Sequence, residues 1–145
     1  MYSVKTRVSF EAAHRLYDDS VYSEACRANL HGHSYYVTIY VSCSELTGCG
    51  MVVDFKLLKE IIRREIEEKY DHSCILNIRD PLCAPISKLC KNVHIIQENP
   101  TAEWMAHEFF MAVQLALLQD VRTADCEVDR VEVQETENNI AIYEE

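Results

Sequence analysis

The sequence is poor in glycine and proline, and it lacks any long run of apolar residues. Its 145 residues include only three glycines and three prolines, which excludes a collagen-like repeat and a low-complexity linker. A membrane-spanning helix needs about 20 consecutive apolar residues. The opening stretch MYSVKTRVSFEAAH also lacks the continuous apolar core of a signal peptide. We therefore expect a single cytoplasmic domain over residues 1–145 that does not bind membranes.

Basic residues are scarce as well. There are 14 lysines and arginines against 24 aspartates and glutamates, a formal net charge of −10. Proteins that bind nucleic acids through the phosphate backbone need a basic face, so DNA and RNA are not expected partners. A small anionic ligand is compatible with this charge, because a metal ion or a few local cations can reverse the field inside one pocket.

The seven cysteines have irregular spacing. Their odd number and the absence of a C-x-x-C pair favour neither a disulfide framework nor a zinc ribbon. Most are expected to be small buried apolar side chains. Cys26 is the exception, because it lies five residues before the first histidine of an H-x-H motif.

Two stretches of alternating polarity predict β-strands. In residues 3–14 the even positions are mostly apolar, and in residues 35–41 the odd positions are. His14 continues the apolar row of the first strand, and His31 and His33 continue that of the second. We therefore expect the three histidines on the buried face, at the ends of two strands.

The other segments predict an α+β domain. A helix is expected over residues 55–70 with Asp54 as its N-cap, and a second helix after an N-cap at Asn99 and a first-turn Pro100. Residues 71–92 are predicted to be mostly loop. Further strands are expected over 51–53, 93–97, 127–135 and 139–145. The predicted fold is an antiparallel sheet with two helices packed on one face.

The histidines are candidate metal ligands. Residues i and i+2 of a strand point to the same side about 7 Å apart, and Gly32 between His31 and His33 leaves room for a ligand. Three neutral imidazoles suit Zn²⁺ with an open fourth position, although spacing alone also allows them to be ordinary core residues. Cys26 would be favoured as a thiolate beside such a metal, as a base or nucleophile. It could instead be a fourth ligand that closes a structural site.

Two further sets of residues are candidates for binding and proton transfer. The adjacent Asp71 and His72 could form a proton relay. Glu135 shares the parity of the apolar residues in its predicted strand and would point to the buried face, where a carboxylate can accept two adjacent N–H donors of an aminopyrimidinone. For both sets, ordinary solvent-exposed positions are the alternative. Glu103, in the first turn of the second helix, is also explained by the helix dipole.

Six stretches occur in an order that resembles a known family. They are FEAAHRL (10–16), CRANLHGHSY (26–35), GMVVDFKLLK (50–59), DHSCILN (71–77), NPTAE (99–103) and VEVQET (131–136). Together they resemble the 6-pyruvoyltetrahydropterin synthase and 6-carboxytetrahydropterin synthase family. The resemblance implies the tunnelling fold, in which subunits assemble into an oligomeric barrel, typically a homohexamer, with active sites at subunit contacts.

The resemblance also implies roles for individual residues. The implied Zn²⁺ ligands are His14, His31 and His33. Cys26 is then the catalytic thiol, and Asp71 with His72 assists proton transfer. The implied pterin anchor is Glu135, and Thr101 and Glu103 line the pterin pocket.

The implied substrate is 7,8-dihydroneopterin triphosphate, and the product depends on the branch of the family. The stretch DHSCILNIRDPL followed by NPTAE resembles the carboxy-forming branch, which releases acetaldehyde on the route to 7-deazapurines such as queuosine. Four residues separate Cys26 from His31, against three expected in that branch and five in the pyruvoyl-forming one. Glu24 nearby leaves open an aldolase-like activity that gives a hydroxymethylpterin. A non-catalytic zinc-containing pterin-binding module is the alternative from another class.

Overall fold

A six-stranded mixed sheet forms the centre of the computed structural model, which describes residues 1–145. The strands are β1 (Tyr2–Arg15), β2 (His31–Cys43), β3 (Ser73–Asn77), β4 (Val93–Ile96), β5 (Glu127–Gln134) and β6 (Ile140–Glu144). Their order across the sheet is β4-β3-β1-β2-β5-β6. The pairs β1–β2, β2–β5 and β5–β6 are antiparallel, whereas β3 runs parallel to both β1 and β4. The predicted α+β class is confirmed, with two parallel strands added at one side.

Five helices connect the strands. They are α1 (Glu24–Ala28), α2 (Phe55–Ile62), α3 (Glu68–Tyr70), α4 (Cys83–Leu89) and α5 (Ala102–Gln119). A π turn, Arg63–Glu67, joins α2 to α3, so the helical segment ends at Tyr70 as predicted. The side chain of Asp54 accepts a hydrogen bond from the backbone N–H of Lys56 at 2.7 Å, which confirms this N-cap. None of the helices combines the length and apolarity that crossing a membrane requires.

The core lies between one face of the sheet and the two long helical segments. The predicted alternation is confirmed in both β1 and β2, because Phe10, Tyr35, Val37 and Ile39 are all buried. Phe10 stacks on Tyr35 with ring centroids 5.1 Å apart and meets the edge of Phe109 of α5 at 5.8 Å. Burial of this apolar face fixes which side of each strand faces the helices, and the three histidines share that side.

Residues 71–92 were predicted to be mostly loop, and this prediction was wrong. They contain β3 and α4. All five residues of β3 are buried, and the strand lies between its two parallel neighbours β1 and β4. Such a strand shows no alternation in sequence, so a search for period-two patterns misses it. The predicted strand over residues 51–53 is also absent, and that segment is irregular.

The start of α5 differs from the prediction too. Thr101, rather than Asn99, is the N-cap, and its hydroxyl accepts from the backbone N–H of Trp104 at 3.1 Å. Pro100 lies before the helix and not in its first turn. Its carbonyl oxygen is bonded to the side chain of His14 at 2.7 Å. The segment before α5 therefore contacts β1 through the carbonyl group of Pro100, and the helix begins only after this contact.

We predict that Phe109→Ala lowers the free energy of unfolding by about 3–5 kcal/mol, because a fully buried ring between Phe10 and Tyr70 is removed and leaves a cavity. The matched control is Leu115→Ala in the same helix, whose residue is 57% exposed. It should change stability by less than about 0.5 kcal/mol. Urea unfolding at equal protein concentration measures both, and equal losses would contradict this description of the core.

Candidate metal centre and adjoining cavity

The pairing of β1 with β2 brings the three histidines together. In the antiparallel register His14 is opposite His31, and Ala12 is opposite His33. Because side chains alternate along a strand, all three imidazoles lie on the helix-facing side. One ring nitrogen from each histidine forms a group whose members all lie within 4.8 Å of one another.

Backbone carbonyls fix the orientation of two of these rings. The Nδ1 atom of His14 is 2.7 Å from the carbonyl oxygen of Pro100, and that of His31 is 2.9 Å from the carbonyl oxygen of Asn29. A carbonyl oxygen only accepts, so each Nδ1 carries the proton and each Nε2 presents its lone pair. The two Nε2 atoms are 3.1 Å apart. Two facing lone pairs repel unless a cation lies between them, and this carbonyl support is typical of metal-binding histidines.

The protonation state suits metal binding as well. His14 is only 2% exposed, and burial lowers its pKa to about 4, with neighbouring His31 and His33 acting in the same direction. Burial also lowers the pKa of His33, against the attraction of Glu135. Near pH 7 the lone pairs of these two residues are therefore free, and the three histidines can hold a metal ion.

Gly32 favours a close approach of the two paired strands. A Cβ atom at this position would lie 3.2 Å from the carbonyl oxygen of Ala12 in β1. The sequence suggested that this glycine leaves space for a ligand, but the group that approaches it is the backbone of the neighbouring strand. Its role is thus to let β1 and β2 come close where the histidines meet.

Glu135 borders both the histidines and a cavity. Its Oε1 atom lies 3.4 Å from Nε2 of His14 and 3.6 Å from Nε2 of His33, on the buried side that its parity predicted. The cavity has a volume of about 430 Å³, and its wall includes Leu16, Thr101, Glu103, Glu135, the turn residues Asn138 and Asn139, and the first two residues of β6. The structure therefore brings together all three predicted pterin-contacting residues beside the histidines.

Sequence reasoning missed three residues of this region. The Tyr35 hydroxyl lies 3.3 Å from Nδ1 of His14, and burial together with the Glu135 carboxylate raises its pKa. The sequence analysis treated Tyr35 only as an apolar strand residue. Its hydroxyl group, next to the histidines in the same row of side chains, was a signal for a polar contact there. Asn138 and Asn139 line the cavity from the turn between β5 and β6, and nothing local in the sequence distinguishes them from ordinary turn residues.

Cys26 lies in the short helix α1 with Glu24 as its first residue. The helix is capped by Ser23, and the carbonyl oxygen of Cys26 accepts from the backbone N–H of Leu16 at 3.2 Å. This bond ties the Cys26 backbone to the wall of the 430 Å³ cavity. The Cys26 thiol is not part of the group of potential ligands, which contains the histidines alone. A closed site with Cys26 as fourth ligand is therefore absent from this structure.

Asp71 and His72 form a hydrogen-bonded pair on the other face of the sheet. The Asp71 carboxylate accepts from the backbone N–H of Glu11 at 2.9 Å and lies 2.8 Å from Nδ1 of His72. The first of these bonds is the main reason why the pKa of Asp71 is lowered. His72 has a positive φ of 56° and its side chain is 82% exposed. It borders a cavity with Glu11 and Ser34, whose side chains point away from the helices.

Comparisons with known proteins agree with this arrangement. A family model described as 6-pyruvoyl tetrahydropterin synthase matches residues 3–145. A relative from Rickettsia conorii named 6-carboxy-5,6,7,8-tetrahydropterin synthase is 34% identical over 102 residues, which cover 69% of this chain and 71% of that protein. A protein of the same name from Aquifex aeolicus is 28% identical over 152 residues, covering 94% of this chain and 93% of that one.

The fold is shared with solved structures. The 6-pyruvoyl tetrahydropterin synthase of Caenorhabditis elegans superposes with a TM-score of 0.70 at 24% sequence identity. The superposition covers 99% of this chain and 95% of that one. At this identity the likeness concerns the fold alone.

We predict that Gly32→Ala weakens metal binding about tenfold, because β1 and β2 must separate slightly and displace the two flanking histidines. Gly48→Ala is the matched control, since a Cβ atom there meets nothing within 4 Å. Competition with a chromophoric chelator measures both affinities. Equal affinity in the two variants would show that the close approach of the strands does not position the ligands.

Proposed function

Since this chain belongs to the 6-pyruvoyl tetrahydropterin synthase family, as its six motifs indicated, we propose that it is a zinc-dependent 6-carboxy-5,6,7,8-tetrahydropterin synthase. It would convert 7,8-dihydroneopterin triphosphate to 6-carboxy-5,6,7,8-tetrahydropterin with release of acetaldehyde and triphosphate, on the route to queuosine. The observation that carries the proposal is the group of three histidines bordered by Glu135 and an open cavity. The relatives from Rickettsia and Aquifex bear this enzyme name. A cytoplasmic location stays a prediction.

The proposed metal is zinc, held by Nε2 of His14, His31 and His33. Three imidazoles with a further position open are the donor set of catalytic zinc sites. When bound, zinc supplies Lewis-acid polarisation of the substrate's side-chain oxygens. The carbonyls of Pro100 and Asn29 keep the rings of His14 and His31 in the tautomer that binds metal.

The proposed pterin site is the 430 Å³ cavity, whose volume suits a small heterocycle. Glu135 would accept hydrogen bonds from a ring N–H and the neighbouring exocyclic amino group of the pterin. Thr101 and Glu103 would form the opposite wall. Because Glu135 also lies within 3.6 Å of two ligand histidines, the anchored ring would have its side chain beside the metal.

Two groups are proposed to move protons. Cys26, whose backbone is tied to the cavity wall through Leu16, would remove a carbon-bound proton from the substrate side chain. His72, oriented by Asp71, would return a proton through its free Nε2 atom. Since His72 is exposed on the opposite face of the sheet, we propose that it serves the site of a neighbouring copy in a homohexamer.

We predict that purified protein with one zinc per chain converts 7,8-dihydroneopterin triphosphate to the carboxytetrahydropterin and acetaldehyde, resolved by mass spectrometry. Cys26→Ala should keep its zinc and lose at least about a hundredfold in turnover, because the proposed proton acceptor is removed. Cys49→Ala, at an exposed cysteine outside the site, is the control and should keep full activity.

Other outcomes of this assay would overturn parts of the proposal. A pyruvoyl product would assign the chain to the reaction for which the family model is named, and a hydroxymethyl product would favour the aldolase-like alternative with Glu24. Loss of zinc in Cys26→Ala would make Cys26 a ligand. No turnover in the zinc-loaded protein would favour a non-catalytic pterin-binding module.

We predict that Glu135→Gln weakens pterin binding about tenfold or more, because the amide places a donor opposite the donors of the pterin ring. Glu132→Gln in the same strand is the matched control, since Glu132 points to the other face and contacts Tyr40 and Arg130. Fluorescence titration with a non-reactive pterin measures the affinities. Unchanged affinity in Glu135→Gln would remove this residue from the proposed site.

A further inference from the structure

Two buried cysteines lie opposite each other where β2 ends and β5 begins. Cys43 is the last residue of β2, and Cys126 immediately precedes β5. Because Ser42 is paired with Glu127, the antiparallel register places Cys43 opposite Cys126. Both cysteines are free thiols, and neither belongs to the proposed active site.

The two side chains meet at one carbonyl group. Both thiols donate to the carbonyl oxygen of Val52, at 3.8 Å from Sγ of Cys43 and 3.7 Å from Sγ of Cys126. Burial raises the pKa of Cys126 to about 12, and a hydrogen bond with the Cys43 thiol acts in the same direction. The two sulfur atoms are therefore neighbours, and the Cys126 thiol is protonated near pH 7.

The backbone pairing at these cysteines is of the kind that admits a disulfide. Glu11 directs its backbone N–H and C=O to the segment after α3 and not to its partner Ser34. Since these groups alternate in direction along a strand, the odd-numbered residues of β2, including Cys43, bond towards β1 and not towards β5. The N–H of Cys126 agrees with this, because it donates to the carbonyl oxygen of Thr123 at 2.9 Å. Opposed residues without mutual hydrogen bonds have Cα atoms about 4.5 Å apart, within the roughly 4.4–6.8 Å of disulfides.

A cavity of about 530 Å³ gives access to both cysteines, which form part of its wall. Three carboxylates line this cavity, those of Glu45, Asp125 and Glu127. The one cation in its wall is Arg122, whose charge is balanced by Asp120. A cavity lined mainly by one sign of charge attracts reagents of the opposite sign and repels those of its own. Positively charged reagents should therefore reach the two thiols more readily than negatively charged ones.

We propose that Cys43 and Cys126 form a dithiol site that a small cationic disulfide oxidises to a cross-strand disulfide. One protein thiolate attacks the S–S bond of the reagent, which forms a mixed disulfide and releases one thiol. The second cysteine attacks the mixed disulfide, closes the protein S–S bond and releases the other thiol. Two electrons pass from the protein sulfurs to the reagent, and its two sulfurs take up the two protons.

This dithiol site is independent of the proposed reaction. Cys43 ends β2 and His31 begins it, and at about 3.4 Å per residue the strand separates them by roughly 40 Å. Oxidation should act on stability instead. The new bond closes a long loop between the end of β2 and the start of β5, and restricting such a loop in the unfolded chain should raise Tm by about 10 °C.

The test is treatment of the zinc-loaded full chain with cystamine, a small cationic disulfide. Peptide mapping by mass spectrometry after alkylation of the remaining thiols should show a link between Cys43 and Cys126, with loss of two hydrogen atoms. Dithiothreitol should reverse both the link and the rise in Tm. Oxidised glutathione, which is anionic, should form the link at least about tenfold more slowly, and Asp125→Asn should narrow this difference.

Two variants serve as comparisons. Cys74→Ala removes another buried cysteine, on β3, and should still form the link and show the rise in Tm. Cys43→Ala should show neither. Mixed disulfides in the wild type without a link between Cys43 and Cys126 would overturn the proposal, as would a link from either of them to the exposed Cys49. Equal rates with the two reagents would overturn the preference for a cationic disulfide. Since no pterin is used, these results do not depend on the proposed function.

Discussion

The backbone pairing of β1 with β2 is the constraint on which the rest of the site depends. It runs from Tyr2 opposite Cys43 to His14 opposite His31. Because side chains alternate strictly along a strand, a slip of one residue would turn either strand's histidines away from the helices and expose its apolar row. The burial of Phe10, Tyr35 and Val37 therefore fixes the register, and the register in turn fixes the distances between the imidazoles.

The same burial makes the group of histidines unfavourable without a cation. His14 has a pKa of about 4 in the folded chain, below its ordinary value of 6.5. Between these values the unfolded chain takes up a proton that the folded chain does not, so folding stability falls as the pH drops from about 6.5 to about 4. A bound metal ion relieves the repulsion between the lone pairs and competes with the same protons. Stability of the fold and occupancy of the site are thus coupled through the same nitrogen atoms.

Alternating polarity predicted much of this arrangement, including both long strands, the shared face of the histidines and the inward direction of Glu135. The fully buried strand β3 has no alternation, and it was missed. That omission had a second consequence. Because β3 pairs in parallel with β1, it brings Arg79 and Asp80 beside Arg15. Residues so far apart in sequence give no local signal, so the ion pair of Arg15 with Asp80 becomes visible only when the strand order is known.

The two faces of the sheet carry different parts of the proposed chemistry. The histidines and Glu135 lie on the helix-covered face, whereas the pair of Asp71 and His72 lies on the open one. His72 is nevertheless held firmly. Its backbone N–H donates to the carbonyl oxygen of Glu11, and the side chain of Asn92 bonds the carbonyl oxygen of Asp71. A left-handed backbone at a histidine costs free energy, and here it orients an exposed imidazole that makes no hydrogen bond to the ligand histidines, although His33 lines the same cavity. This free-energy cost is explained if the substrate that His72 serves is bound to a neighbouring subunit. Each complete site would then form only where two copies meet.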